Sequence, residues 1–99
     1  MPETSQVLTT QKKIDRAYAY LYQLLRGICL NDFRIEQKID ERGLVLDIFP
    51  HEKDTGYVIG TKGIIIFSIR NLMKMFSVRL RAEVKVLVEG KGEEFYFRQ

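Results

Sequence analysis

Residues 58–66 read Val-Ile-Gly-Thr-Lys-Gly-Ile-Ile-Ile, and the interpretation of the whole chain depends on this stretch. Gly60 and Gly63 stand three positions apart between two segments that are predicted to be helical. Glycine lets the chain reverse tightly and leaves backbone N–H groups accessible at the start of the second helix, where the peptide dipoles favour an anion. The stretch therefore predicts a loop that a phosphate group can approach closely.

The two residues between the glycines add polar chemistry to this loop. Lys62 supplies a mobile positive charge, and the hydroxyl of Thr61 can donate a hydrogen bond to a phosphate oxygen. The alternative is a plain helix-helix turn, which is the commoner meaning of an isolated pair of glycines at this spacing. The context favours phosphate binding, because a strand that ends in Pro50 and an aliphatic pair precede the loop and Ile66 follows it.

Hydrophobic spacing on either side of the loop predicts the remaining elements. In chain order these are a helix from Thr9-Thr10 to about Ile28, strands over 33–39 and 44–49, a short helix over 55–59, a long helix over 64–76 and a final strand over 83–89. The β-branched run at 64–66 would also allow a strand by local propensity alone. Two long helices and three strands predict an α+β fold, a two-layer sandwich in which helices cover one face of the sheet.

The composition limits the class of protein. A chain of 99 residues with 45% hydrophobic and 29% charged residues is expected to form one soluble globular domain. We expect residues 1–9 to be a flexible N-terminal end, 10–90 to form the domain and 91–99 to be a C-terminal tail. No apolar run approaches the roughly 20 residues that span a bilayer, so we expect no membrane partner and a cytoplasmic location.

The net charge of +3 is small, but it is unevenly distributed along the chain. Residues 55–82 carry five basic residues and no acidic one, whereas the rest of the chain sums to −2. Arg70 and Lys74 lie four apart on one helix face, close enough to act together on a phosphate. The alternative for these two is a solvated helix face. Charge of this size predicts salt-sensitive binding with weak sequence specificity.

The stretch resembles the signature of the KH domain, in which an aliphatic pair, GxxG and a further aliphatic residue follow one another. Here these are Val58-Ile59, residues 60–63 and Ile66. The element order αββααβ resembles the prokaryotic type II form of the fold. The segment from Ile48 to Met73 is especially similar to small single-KH bacterial RNA-binding proteins of the KhpA type and to the KH part of Jag. The resemblance spans about residues 10–90.

The resemblance implies a function and a set of contact residues. The glycine loop would capture the backbone of single-stranded RNA, and aliphatic residues partly shared with the core would form a floor under the bases. The residues so implied are Gly60, Thr61, Lys62, Gly63, Val58, Ile59 and Ile66. The strand around 84–86 would form the opposite wall. The expected protein is a post-transcriptional regulator or RNA chaperone.

A partner protein is also implied by the resemblance. One KH domain reaches only about four nucleotides, so useful affinity requires a second binding unit. The expected partners are therefore single-stranded RNA together with a second copy in a homodimer, or a heteromer with another KH or Jag-type RNA-binding protein.

Three positions, Thr61, Ile64 and Phe67, depart from the usual KH pattern and define an alternative function. Thr61 stands where a lysine is common, and Ile64 stands where a basic residue is frequent. Together with Phe67, Ile64 would leave an apolar patch beside the loop, of the kind that marks protein interfaces. The alternative is a protein-interaction or dimerisation module that keeps the same scaffold.

The residue types that most enzymes need are scarce in this chain. His51 is the single histidine and Cys29 the single cysteine, so a metal centre or a Cys-His nucleophile pair lacks parts. The phosphate loop of nucleotide hydrolases needs four residues between its glycines and a hydroxyl residue after its lysine, and this chain has neither. We therefore expect a protein that is not an enzyme and that uses no cofactor or metal.

Overall fold

The chain folds as helices packed on a three-stranded mixed sheet in the computed structural model, which describes residues 10–41, 43–81 and 83–91. The elements are α1 (Thr10–Ile28), β1 (Arg34–Asp40), β2 (Gly43–Phe49), α2 (Thr55–Ile59), a single 3₁₀ turn (Thr61–Gly63), α3 (Ile64–Leu80) and β3 (Val84–Val88). The predicted α+β class is confirmed. The expected N-terminal end, 1–9, and residues 92–99 of the expected C-terminal tail lie outside the described residues.

Helix α3 is longer than the predicted 64–76. It continues until Arg81, its C-cap residue, adopts a left-handed conformation. Arg81 has a φ of 57°, and its N–H donates to the carbonyl oxygen of Val78 at 3.1 Å. Ser77 stays buried inside the helix because its hydroxyl donates to the carbonyl of Lys74 at 2.7 Å. The isoleucine run at the start of α3 is helical, which places Ile66 in the core.

Strand β2 is the centre of the sheet and has a different partner on each side. It pairs antiparallel with β1, so that Arg34 lies opposite Phe49, and parallel with β3, so that Leu44 lies opposite Val84. A parallel pair requires a crossover connection, which here runs through α2 and α3. The loop between these two helices therefore lies at the end of the sheet where β2 finishes.

One continuous apolar core joins the sheet to all three helices. The predicted apolar stripe of α1 faces this core, and alternate residues of β2 and β3 meet it from the sheet. The buried members are Ile14, Ala17, Leu21, Leu25, Ile35, Leu44, Leu46, Ile48, Val58, Ile66, Ile69, Met73, Leu80, Val86 and Val88. On the opposite face of the sheet the guanidinium of Arg34 lies 4.5 Å from the ring centroid of Phe49.

Replacing a core residue of the central strand tests this packing. Leu46 is fully buried in β2, so Leu46→Ala is expected to lower the free energy of unfolding by about 2–5 kcal/mol, because the cavity cannot fully collapse. Urea denaturation followed by circular dichroism measures the change. The control Val78→Ala removes an exposed side chain of α3 and is expected to change stability by less than about 0.5 kcal/mol. Equal effects of the two changes would contradict this core.

Candidate functional site

The loop between α2 and α3 has a left-handed backbone at three of its four positions. The φ angles are 79° at Gly60, 55° at Lys62 and 78° at Gly63. Gly60 donates its N–H to the carbonyl of Gly56 at 2.8 Å, and Gly63 donates to Gly60 at 3.0 Å. A left-handed conformation costs a residue with a side chain about 1–2 kcal/mol, so the fold holds Lys62 in a strained position.

At Gly60 only glycine fits. A Cβ placed on it would lie 2.8 Å from the backbone nitrogen of Ile65 and 2.9 Å from its Cβ. Real Cβ atoms do not approach a backbone that closely, so α2 and the first turn of α3 can meet at this distance only through glycine. The loop geometry is therefore fixed by sterics as well as by hydrogen bonds.

The same geometry exposes the polar residues of the loop at the beginning of α3. The side chains of Thr61 and Lys62 are exposed, whereas Gly63 is buried and precedes the first residue of the helix. Helix N-termini leave unsatisfied backbone N–H groups, and within the described residues no side chain caps α3 at Gly63. Gly63 and Ile64 donate their N–H groups to the carbonyls of Gly60 and Thr61, so the groups that lie together at this exposed end of α3 are the helix dipole, a hydroxyl and an ammonium group.

The aliphatic residues that are predicted to lie under the bases divide into a buried group and an accessible one. Val58 and Ile66 have no exposed surface and belong to the core, so they support the loop from beneath. Ile59 is half-buried and does present surface. The large exposed apolar residues beside the loop are Tyr57 and Ile64, each 58% exposed. Sequence reasoning overlooked Tyr57, although an aromatic residue next to a buried valine on an amphipathic helix is the signal that could have found it.

Arg70 and Lys74 are not brought to the loop itself. They lie roughly 9 Å and 15 Å along α3 from its first residue at 1.5 Å per residue. Arg70 donates from Nε to the carbonyl of Val86 at 2.9 Å and from Nη2 to that of Lys91 at 3.4 Å. Its guanidinium thereby ties α3 to the edge strand β3, a connection between distant segments that the sequence did not reveal. Lys74 is exposed, and phosphate binding by the pair stays a prediction.

A buried carboxylate lies just before the short helix that leads into the loop. Asp54 is 1% exposed, and its Oδ2 accepts hydrogen bonds from the backbone N–H groups of Leu30 at 3.1 Å and Asn31 at 2.8 Å. Burial raises the pKa of the nearby Cys29 thiol, and the negative charge of Asp54 raises it further. The thiol is therefore protonated at neutral pH and is a poor nucleophile.

The described part of the chain offers no sign of a metal centre. It contains no group of three or more His, Cys, Asp or Glu side chains that could hold a metal ion.

A small apolar cavity of about 160 Å³ lies at the opposite end of the sheet from the loop, where Ile14, Leu44 and Leu80 form part of its wall. In the described ranges, no helix combines the length and the apolar character needed to cross a membrane.

Comparison with known proteins found no match to any family model, curated protein or solved structure. Any function must therefore be inferred from the residues of this chain and from their geometry.

Two glycines four positions apart provide a matched test of the loop. Gly60→Ala is expected to destabilise the protein by at least about 1–2 kcal/mol, because it combines a positive φ with a clash against Ile65. Gly56→Ala is expected to be neutral or to stabilise by about 0.5–1 kcal/mol, since Gly56 is helical and nothing lies within 4 Å of its added Cβ. Thermal unfolding of both variants measures the difference. A Gly60→Ala protein as stable as Gly56→Ala would refute the loop conformation.

Proposed function

We propose that this protein binds single-stranded RNA by capturing the sugar-phosphate backbone at residues 60–63. The observation that carries the proposal is the exposed N-terminus of α3, preceded by a left-handed glycine loop that displays Thr61 and Lys62. The element order, helix-strand-strand-helix-helix-strand, is the one expected of a type II KH domain and supports the same function. The protein is proposed to act in the cytoplasm as a regulator or chaperone of RNA and not as an enzyme.

The phosphate is recognised by several weak groups that act at one place. The positive end of the α3 dipole attracts the bound anion, the Thr61 hydroxyl donates one hydrogen bond, and Lys62 adds charge. No acidic residue within 55–82 opposes this attraction. Each phosphate neutralised on a single strand contributes about −0.7 to the slope of log affinity against log salt, so binding weakens steadily as salt rises.

Exposed apolar side chains beside the loop provide a surface for the bases. Tyr57 is exposed on α2 three residues before Gly60, and Ile59 and Ile64 flank the glycines. Stacking of a base on an aromatic side chain contributes about 1–3 kcal/mol and tolerates any base. This arrangement favours RNA binding with low sequence preference.

Charge reversal at the loop tests the proposal. Thr61→Asp with Lys62→Asp is expected to weaken binding of a fluorescein-labelled single-stranded oligoribonucleotide at least about tenfold, because carboxylates replace the groups that attract phosphate. Fluorescence anisotropy at two salt concentrations measures affinity and its salt slope. Lys62→Glu alone is expected to reduce the magnitude of that slope by about 0.7, the contribution of one phosphate contact on a single strand.

Lys38→Glu is the matched control, since it changes the net charge by the same amount as Lys62→Glu. Lys38 is exposed on β1, the edge strand that β2 separates from β3. It is expected to leave most of the affinity intact. Unchanged binding in the loop variants, or equal losses from Lys62→Glu and Lys38→Glu, would contradict capture at the loop.

A protein-interaction function is favoured by a second observation on α3. Its outer face carries an apolar stripe, which we define as Ile64, Phe67, Met75 and Val78, with exposures of 58%, 40%, 69% and 73%. These residues follow helical spacing, so they lie on one side of the helix. An exposed apolar stripe of this length is typical of an interface. The second candidate function is therefore a dimerisation or partner-binding module on the same scaffold.

Substitutions in the apolar stripe test this second candidate. Ile64→Ser with Phe67→Ser is expected to reduce the mass in solution to that of the 11.6 kDa monomer, because the contact loses its apolar area. Light scattering measures the mass before and after the change. Leu30→Ser is the control, since Leu30 is an exposed apolar residue outside the stripe. A monomer mass for the unsubstituted protein would exclude self-association.

A further inference from the structure

Asp54 is the one charged side chain that is fully buried among the described residues. A carboxylate loses its hydration when it is buried, and it is tolerated only where hydrogen bonds replace that hydration. Here both replacement donors at Oδ2 are backbone N–H groups, those of Leu30 and Asn31, 24 and 23 residues earlier in the chain. The side-chain amide of Asn31 lies 3.4 Å from Oδ1. The carboxylate thus joins two segments that are distant in sequence.

The position of Asp54 makes this choice of partners unusual. It stands at the N-cap of α2, where an aspartate ordinarily accepts hydrogen bonds from the first turn of its own helix. Its side chain makes no such cap bond within the described structure. Its backbone carbonyl accepts instead from Tyr57 at 2.9 Å and Val58 at 3.0 Å, which begins α2. The residue therefore starts α2 with its main chain and holds the end of α1 with its side chain.

The helix that Asp54 begins is too short to position itself. α2 has five residues, and Val58 is its one buried side chain. Short helices are marginal without tertiary contacts, so the direction of α2 depends on Val58 in the core and on Asp54 at its start. Gly60 is the C-cap residue of α2, and its N–H donates to the carbonyl of Gly56. A rotation of α2 therefore moves the first glycine of the loop.

We infer that Asp54 is a positioning residue for the RNA-binding loop, because its buried carboxylate fixes α2, and with it Gly60, to the C-terminal end of α1. This role rests on the proposed function of the loop. The predicted consequence is a connection between residues 29–31 and the loop, across elements that are not adjacent in the chain. Asp54 itself does not touch RNA.

Hydrogen exchange of the loop amides separates positioning from general stability. Asp54→Ala is expected to accelerate exchange at the N–H groups of Gly60 and Gly63 at least about tenfold relative to amides of β2, because their hydrogen bonds then open locally. RNA affinity measured by anisotropy is expected to fall by about tenfold. Asp54→Asn keeps an oxygen acceptor of the same reach and is expected to restore both readouts to near the unsubstituted values.

Ser77→Ala is the control, since Ser77 is the other buried polar residue among those described and lies far along α3 from the loop. It is expected to lower global stability without selective exchange at the loop. Where Asp54→Ala does not fold, Asp54→Ser replaces it, because a hydroxyl can still cap α2 but is too short to reach residue 31. Equal loop exchange in the Asp54 and Ser77 variants would overturn the positioning role. Selective loop exchange in a protein that never binds RNA would sustain that role and refute the proposed function.

Discussion

The left-handed backbone at Gly60, Lys62 and Gly63 is the constraint on which the arrangement of the site depends. Gly60 allows α2 to meet the first turn of α3 at a distance that no side chain permits, since a Cβ would collide with Ile65. Gly63 then stands at the N-cap of α3 in a left-handed conformation. The same turn exposes Thr61 and Lys62. A conformation dictated by sterics thereby brings together the groups that we propose attract a phosphate.

Buried residues hold this loop in place, and exposed residues are accessible for contacts with a ligand. Val58 and Ile66 anchor the two helices in the core, one on each side of the glycines. Asp54 ties the start of α2 to the end of α1, and Arg70 ties α3 to β3. This division between buried and exposed residues explains why neighbouring residues of the motif around the glycine loop have different roles. A buried aliphatic residue sets the position of the loop, whereas an exposed neighbour such as Tyr57 is free to contact a ligand.

Local patterns were sufficient to predict the helices and strands, but they did not predict the contacts between distant segments. Period-two and helical spacings predicted all three strands and all three helices, because each pattern is set by which side of one element faces the core. The predicted end of α3 at Phe76 is too early. Nothing in the residues after Phe76 opposes a helix, and α3 continues until Arg81 adopts a left-handed conformation. The partners of Arg70 and Asp54 lie 16 to 24 residues away, beyond the reach of any local pattern.

The most direct test of the central claim is to locate the bound RNA on the chain. In a titration of isotopically labelled protein with a single-stranded oligoribonucleotide, followed by NMR, the proposal predicts saturable shifts that are largest for the amides of residues 60–65. These shifts are expected to weaken as salt is added, because phosphate attraction supplies the affinity. Shifts confined to the apolar stripe of α3, or no shifts at concentrations that saturate a weak site, would contradict RNA capture at the glycine loop.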